Sequence, residues 1–369
     1  MSVPSVSTAS LPIPPKSRCS HPLDTPTIQE AAGFLKQRLV ELDVETLGFG
    51  GDYFSGYFRS YQQRLSGVLQ KQSWLLARSL DTHVPLEEQV LVDHGGGVGV
   101  FSMLAKAVGV GHVIYSDIKP ESCEDACRLA EAAGLVADDY VAGDTTELTE
   151  AVTRNNLLVT AVASSNVIEH IYDFKDFASQ LWALTGPSAR VVLATSANNA
   201  NPRIRRRYMR LQQKLEWRGR GQRETRRGYR DIRMDIIREA GHAFTDDEIA
   251  SLADRTRGLA GPDLANAISG FADTGSRPQA ISHPTNTCCP RTGNWTERLR
   301  GADEWANDLK DVGFDVKLHS GIYSSQPGHG WTNALRHTAN LAIRCLGRHA
   351  LTFSPFLALT ASKTHSLNR

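Results

Sequence analysis

Little in this chain points to a metalloprotein, a membrane protein or a polyanion carrier. The six cysteines of its 369 residues stand at 19, 123, 127, 288, 289 and 345 and form no metal-binding spacing. Cys123 and Cys127 lie one turn apart on a segment that reads as a helix, and both are expected to be small core residues. A reducing, cytoplasmic setting is the expectation. No secretory peptide or long apolar run is visible; the run Leu351–Ala361 is too short to span a bilayer and follows Arg344 and Arg348. Net formal charge is only +1, so no global field calls for nucleic acid. What remains, 41% hydrophobic and 22% charged, is an ordinary globular composition, long enough for two domains or for one domain with an insertion.

The most informative stretch is Val90-Leu-Val-Asp-His-Gly-Gly-Gly-Val-Gly-Val-Phe-Ser102. It reads as a buried strand over Val90–Val92, an acid at its end, a glycine turn, and an amphipathic helix carrying Val100, Met103, Leu104 and Ala107. Asp93-x-Gly95-x-Gly97-x-Gly99 removes side chains where the backbone turns sharply and where a ligand would lie against it. A second strand, His112–Ser116, ends in Asp117, 24 positions after Asp93. A carboxylate there suits the two hydroxyls of an adenosine ribose, with Ile118 beside it. A dinucleotide turn, Gly-x-Gly-x-x-Gly, does not fit: aligned on Gly97 or Gly95, it finds no glycine at its third position.

The acidic-x-Gly-x-Gly-x-Gly pattern resembles motif I of the class I, Rossmann-like S-adenosylmethionine (SAM) methyltransferases. Three further segments match that family in order. Asp117 is the first. Tyr140-Val-Ala-Gly-Asp144-Thr145 is similar to the third strand and its adenine-proximal acid. Leu158 to His170 is similar to the fourth strand, whose loop, here with Asn166, meets the sulfonium and the acceptor. Two bland readings stand beside these: Asp144 as a helix cap before Glu147 and Leu148, and Asn166 as a turn residue. The resemblance implies SAM as cofactor, held by Asp93, Gly95, Gly97, Gly99, Asp117, Ile118, Asp144, Thr145 and Asn166.

Residues 1–27 are rich in Ser and Pro and are expected to be a flexible tail. Ile28–Leu42 has a helical stripe, Ala32, Leu35, Leu39 and Leu42. An aromatic helical segment, 52–80, belongs with it in an N-terminal unit, 28–85. Tyr57, Arg59 or Tyr61 would there reach the methionine carboxylate, unless these side chains pack on the sheet instead. The core, 86–199, carries strands near 90–93, 112–117, 139–142, 158–164 and 190–195, alternating with helices such as Asp173–Leu184. That is the pattern of an α/β fold, a parallel sheet covered on both faces. From 301 to 369, Trp305, Leu309 and Val312 form a helix stripe stopped by Gly313. Strands are expected over Phe314–Tyr323 and Leu351–Lys363. The resemblance implies a seven-stranded sheet in the order 3-2-1-4-5-7-6, with residues 200–300 a mainly helical insertion after the fifth strand that builds the acceptor site.

Between Arg203 and Arg238 the insertion holds 14 Arg/Lys and 4 Asp/Glu, a local excess of 14 − 4 = +10 against 1 − 10 = −9 for the rest. Ile204, Tyr208, Leu211 and Leu215 set the apolar face of an amphipathic helix whose outer face is basic. Either that face meets an anionic partner (a nucleotide sugar, a phosphorylated lipid head group, nucleic acid), or it is solvated. Nucleic acid is the weakest of these, because no recognition motif accompanies the charge. Thr245-Asp-Asp-Glu248 is a capping box opening a helix with Ile249, Leu252 and Ala253. The polar loop Ser282–Glu297 offers His283, Asn286 and Trp295 as acceptor-site candidates, or else is a surface loop anchored by its tryptophan.

A methyl-transfer enzyme mainly aligns a nucleophile with the activated carbon and excludes water. A hydroxyl acceptor also needs a base. Glu169 and His170, just past the fourth strand, are placed by the resemblance near the reacting centre, and His170 titrates nearest neutrality. Asn166-Val-Ile-Glu-His170 is similar to Glu-His segments of ubiquinone-biosynthesis and sugar methyltransferases. Relatives that bind a metal there have a glutamate three positions before the Glu; here Asn166 stands there, and no metal is expected. A small polar acceptor such as a sugar or another biosynthetic intermediate, methylated on oxygen, is the favoured reading. A nucleotide-dependent oxidoreductase or epimerase would need the third glycine and a Tyr-x-x-x-Lys pair. A non-catalytic SAM-binding module is the other rival.

Overall fold

The computed structural model describes residues 25–219, 227–326, 328 and 330–363. Most of the expected tail, and Arg220, Arg223 and Arg226 of the basic segment, lie outside the described residues. The chain opens with α1 (Thr25–Glu41), α2 (Asp52–Gln63) and α3 (Leu65–Ser79). It then alternates through β1 (Val90–His94), α4 (Val100–Val108), β2 (His112–Asp117), α5 (Pro120–Ala133), β3 (Asp139–Ala142), α6 (Thr145–Arg154), β4 (Val159–Ser165), α7 (Phe174–Leu184) and β5 (Thr185–Thr195). The insertion folds as α8 (Pro202–Arg218), α9 (Tyr229–Glu239), α10 (Asp246–Arg255) and α11 (Gly261–Thr274). After it come α12 (Ala302–Asp311), β6 (Phe314–Ser320), α13 (Gly330–Leu346) and β7 (Leu357–Lys363).

The seven strands form one sheet in the order β3-β2-β1-β4-β5-β7-β6. All neighbours are parallel except β7, which runs antiparallel to both β5 and β6. This is the class I methyltransferase order. Successive side chains on each strand face opposite ways and are apolar on both sides, as a doubly covered sheet requires. Leu91, Val113, Ala161 and Val192 pack toward α1, α3, α4 and α5, whereas Val92, Ile114, Val162 and Val191 pack toward α6, α7 and α12. Seven buried residues of the insertion helices, among them Ile237, Leu252, Leu264 and Ile268, form a separate small core.

Boundaries moved in three places. The fifth strand starts at Thr185, five residues before Arg190, with a register irregularity where Val159 and Ala161 meet it. The sixth ends at Ser320 and not Tyr323: a Cβ on Gly321 would lie 2.4 Å from the Phe356 ring, and Gly321 N turns to donate to Phe356 O. The last begins at Leu357 and not Leu351, because Gly347–Thr352 is a 3-10 turn and the Ser354 hydroxyl ties Gly321 O to Phe356 O. Cys123 is buried, but Cys127 is only partly covered.

The strand order reverses between β1 and β4, the switch point at which open α/β sheets hold ligands. His94 lies level with Ser116 of β2 and Ser164 of β4, so the three carboxyl ends meet at one edge.

Candidate active site

At that edge the turn after β1 is built for close approach. Gly95, Gly97 and Gly99 have φ of 68°, 54° and 76°, a left-handed backbone that other residues resist. Gly95 N and Gly96 N both donate to Ser116 O, at 2.7 and 3.0 Å, which stitches the turn to the end of β2. Asp93 is buried under the turn, where its Oδ2 accepts from Ser102 N (3.2 Å) and Ser102 Oγ (2.7 Å). Burial pushes its carboxyl up to about 7, against the Ser102 bonds and with Asp117 adding to the rise. Asp93 therefore holds the turn from beneath. Gly96 belongs to the motif too, although the pattern Asp93-x-Gly95-x-Gly97-x-Gly99 passes over it. A Cβ there would meet the Tyr115 ring at 2.5 Å and Asp93 Oδ2 at 2.8 Å.

Asp117 stands half-buried at the rim. Its Oδ2 accepts from Gly97 N (3.2 Å) and its Oδ1 from Lys119 N (3.1 Å). Each oxygen keeps a lone pair for a ligand. Burial raises its pKa, partly offset by those two amides. Ile118 follows with 71% of its surface exposed, an apolar plate beside the carboxylate. Tyr57 lies over the turn, its ring 3.9 Å from where a Cβ on Gly97 would sit, and its hydroxyl is 3.4 Å from that of Tyr61. Arg59 points elsewhere, into an ion pair with Glu45.

Several of the expected contact residues are engaged in bonds within the protein. Asp144 caps α6: its Oδ1 accepts from Thr146 N (2.6 Å) while Glu147 bonds back to Asp144 N. Thr145 is buried and sets its hydroxyl 3.4 Å from His94 Nε2. Asn166 adopts φ 60° and its Oδ1 accepts from Ser196 N and Oγ, at 3.0 and 2.7 Å, locking the β4 turn to the end of β5. Asn286 is buried: its Oδ1 accepts from Gln212 Nε2 (3.0 Å) and Leu299 N (2.9 Å), and its Nδ2 donates to Leu299 O (2.9 Å). Trp295 is 5% exposed, donates to Tyr172 O (3.2 Å) and stacks on the Tyr172 ring. Both hold the insertion in place. His283 serves the same loop, its Nδ1 accepting from Thr285 N and Asn286 N at 3.3 and 3.0 Å.

What those bonds hold together is the other half of the site. Residues 295–298 lie along the turn after β4: Trp295 N donates to His170 O (3.1 Å) and Arg298 N to Glu169 O (3.0 Å). His170 Nδ1 is 2.8 Å from Trp295 O, and as a donor there it leaves the Nε2 lone pair free. Glu169 is fully buried, and among the described residues neither carboxylate oxygen has a close hydrogen-bond partner, the Thr195 hydroxyl acting on it only weakly. Burial pushes it up to about 7, with His170 lowering and Glu297 raising it. Glu297, at φ 46°, brings its carboxylate in from the insertion, so that one donor atom each from Glu169, His170 and Glu297 lies within 4.8 Å of the others. Gln212 fixes this position by donating to Glu297 O (2.9 Å). The Lys71 ammonium, lowered to about 8 by burial and raised in part by Glu169, borders the same region. Neither Glu297 nor Lys71 is singled out by the sequence. Their relation to Glu169 exists only in the fold.

No protein-family model matches the chain, and no curated protein does. Among solved structures it is similar to an S-adenosylmethionine-dependent methyltransferase from Mesorhizobium loti, at 14% identity over 76% of this chain and 94% of that one, TM-score 0.37. It is also similar to a plantazolicin methyltransferase in complex with a pentazolic desmethylPZN analog and SAH, at 10% identity over 92% and 100%, TM-score 0.38. A third is phosphoethanolamine N-methyltransferase 2 from Haemonchus contortus, at 12% identity over 80% and 53%, TM-score 0.36. Superpositions this loose carry no assignment. The strand order and the turn define a class I, Rossmann-like methyltransferase fold by themselves.

Proposed function

We propose that this protein transfers a methyl group from SAM to a small polar acceptor, with a hydroxyl of a sugar or another biosynthetic intermediate favoured. One observation carries the reading. Asp117 is held by Gly97 N at the lip of a left-handed glycine turn, with an exposed apolar residue next to it. The residues fit a nucleoside: Asp117 for the ribose, Ile118 for the adenine face, and the bare backbone at Gly95 and Gly97 for the amino-acid half. SAM, when bound, supplies a methyl group on a positive sulfur. The chain's own residues then align the acceptor, exclude water and take its proton.

His170 is suited to that last task. Trp295 O fixes the ring and its tautomer, leaving Nε2 as the acceptor. Glu169 beneath it is a positioning residue for this loop, through Arg298 N on its carbonyl. The basic face of α8 supports an anionic acceptor, since Arg203, Arg206, Arg207, Arg210 and Lys214 are all exposed.

Calorimetry with SAM, S-adenosylhomocysteine and NAD tests the cofactor. SAM and its demethylated product should bind and NAD should not; binding of NAD alone would favour a nucleotide-dependent oxidoreductase or epimerase. Asp117→Ala should weaken SAM at least about tenfold, the scale of one charge-assisted hydrogen bond. A labelled-methyl screen on anionic sugars, lipids and nucleic acids then separates an enzyme from a non-catalytic SAM-binding module.

The Glu169, His170 and Glu297 cluster favours a second reading, in which those three groups hold a divalent cation. The expectation of no metal rested on Asn166, but Glu297 arrives from the insertion instead. A cation would occupy the Nε2 lone pair, so the two readings exclude each other. Methyl transfer that survives EDTA supports the base; loss restored by Mg2+ or Mn2+ supports the cation.

A further inference from the structure

Helix α13 carries its apolar residues on the side away from the protein. Trp331, Leu335, Ala342 and Leu346 share one helical face, with Leu341 on its flank. Trp331 is 75% exposed, Leu335 60%, Leu341 60% and Leu346 49%. The side toward the protein is polar. Asn340 accepts from Tyr323 N and donates to Tyr323 O, both at 2.8 Å, and Asn333 does the same with Gln326, at 3.0 and 2.6 Å. Ile343 is the only helix residue fully buried. Side-chain hydrogen bonds thus pin the helix, while its hydrophobic face has no partner within the described residues. Singly scattered apolar residues need no explanation, but several on one helix face do.

Charge selects the occupant. Residues 330–347 contain Arg336 and Arg344 and no Asp or Glu, and Arg348 just beyond them is paired with Asp303. Arg336 and Arg344 lie at the borders of the helix's polar side, roughly 140° round from Trp331 in either direction. A second copy of the chain packed there two-fold would bring no acid from its own α13 to these cations. An anionic lipid surface accepts both features: a one-sided apolar stripe with a tryptophan at its start, and a cationic polar side. No described helix is long and apolar enough to cross a membrane. The location is also apt. β6 runs parallel to β5, both being antiparallel to β7, so Ser320 and the chain that follows leave the sheet at the edge bearing the glycine turn and Glu169.

We propose that α13 lies in the surface of an anionic bilayer and docks the protein there, site edge toward the lipid. The inference does not rest on methyl transfer and stands or falls separately from it. Flotation of the full chain with vesicles tests it, using phosphatidylcholine alone or mixed with phosphatidylglycerol. Binding is expected with the mixed vesicles only and should weaken as salt rises. The double variant Leu335→Glu, Leu341→Glu should lose about tenfold or more in affinity with an unchanged melting temperature. Emission of wild-type protein should shift to the blue on adding the mixed vesicles, and Trp331→Phe should remove that shift. Absence of flotation, or a double variant that floats as well as wild type, overturns the proposal. So does a dimer that the double variant dissociates while both forms ignore vesicles, since a second copy then covers the face.

Discussion

Glu169 is costly to the fold when ionised, since burial strips its carboxylate of water and the Thr195 hydroxyl offsets this only in part. Its folded pKa is raised from 4.5 to about 7, so the native state prefers the neutral acid. The linkage sign follows. Stability is fully present below the unfolded value and is lost as pH rises through the folded one, by roughly 3 kcal/mol across that window. Glu169→Gln should therefore match wild type near pH 4 and be the more stable protein above pH 7, as read by urea melts at both pH values. Equal stability at both would remove the raised carboxyl. His170→Ala should lower turnover by about 100-fold or more while leaving SAM affinity near the wild-type value, by single-turnover assay and calorimetry. An Ala variant with full activity would leave His170 a loop anchor only. These two residues are legible in the sequence because they follow β4 directly. Glu297 is not, because its meaning comes from His170 and Trp295, which bond across 125 positions.

The elements were mostly legible. Strands rich in Val, Leu and Ile and separated by capped helices announce a parallel sheet. The capping box Thr245–Glu248 opens α10 as its spacing requires. Edges were harder, since β6 and β7 end where Gly321, Phe356 and Ser354 bond across the sheet margin, a contact that no local period encodes. The family motif also obscured Gly96. Gly96→Ala forces a methyl group against the Tyr115 ring and should cost about 1–3 kcal/mol. It should also loosen SAM binding by displacing the turn; a melting curve and a titration that both match wild type would refute the tight packing read here. Exposure misled in the other direction. Asn286 and Trp295 looked like substrate contacts because a polar loop usually lies on the surface. Gln212 of α8 instead draws that loop inward, and its amide reaches Asn286 Oδ1, Thr296 O and Glu297 O.

At the scale of the molecule, the sheet and the insertion have separate cores joined by polar bonds. Tyr172, after β4, donates from its hydroxyl to Asp263 of α11 at 2.8 Å and accepts there from Ala260 N at 3.1 Å. Leu264→Ala, inside the insertion core, should cost about 2–4 kcal/mol locally. Hydrogen exchange should show α9 to α11 opening more readily while β1, β4 and β5 keep their protection. Uniform loss of protection would mean that the two cores unfold as one. The fold class was readable from order and periodicity, whereas the joint between the cores was not, since it is made of single polar side chains far apart in sequence.

The backbone bonds from Trp295 and Arg298 to His170 and Glu169 have a temporal consequence. On the ribosome, the strands that frame the glycine turn emerge well before the segment that closes the second wall. The two sides of the cleft therefore meet only once residues 295–298 have been made and packed on the turn after β4.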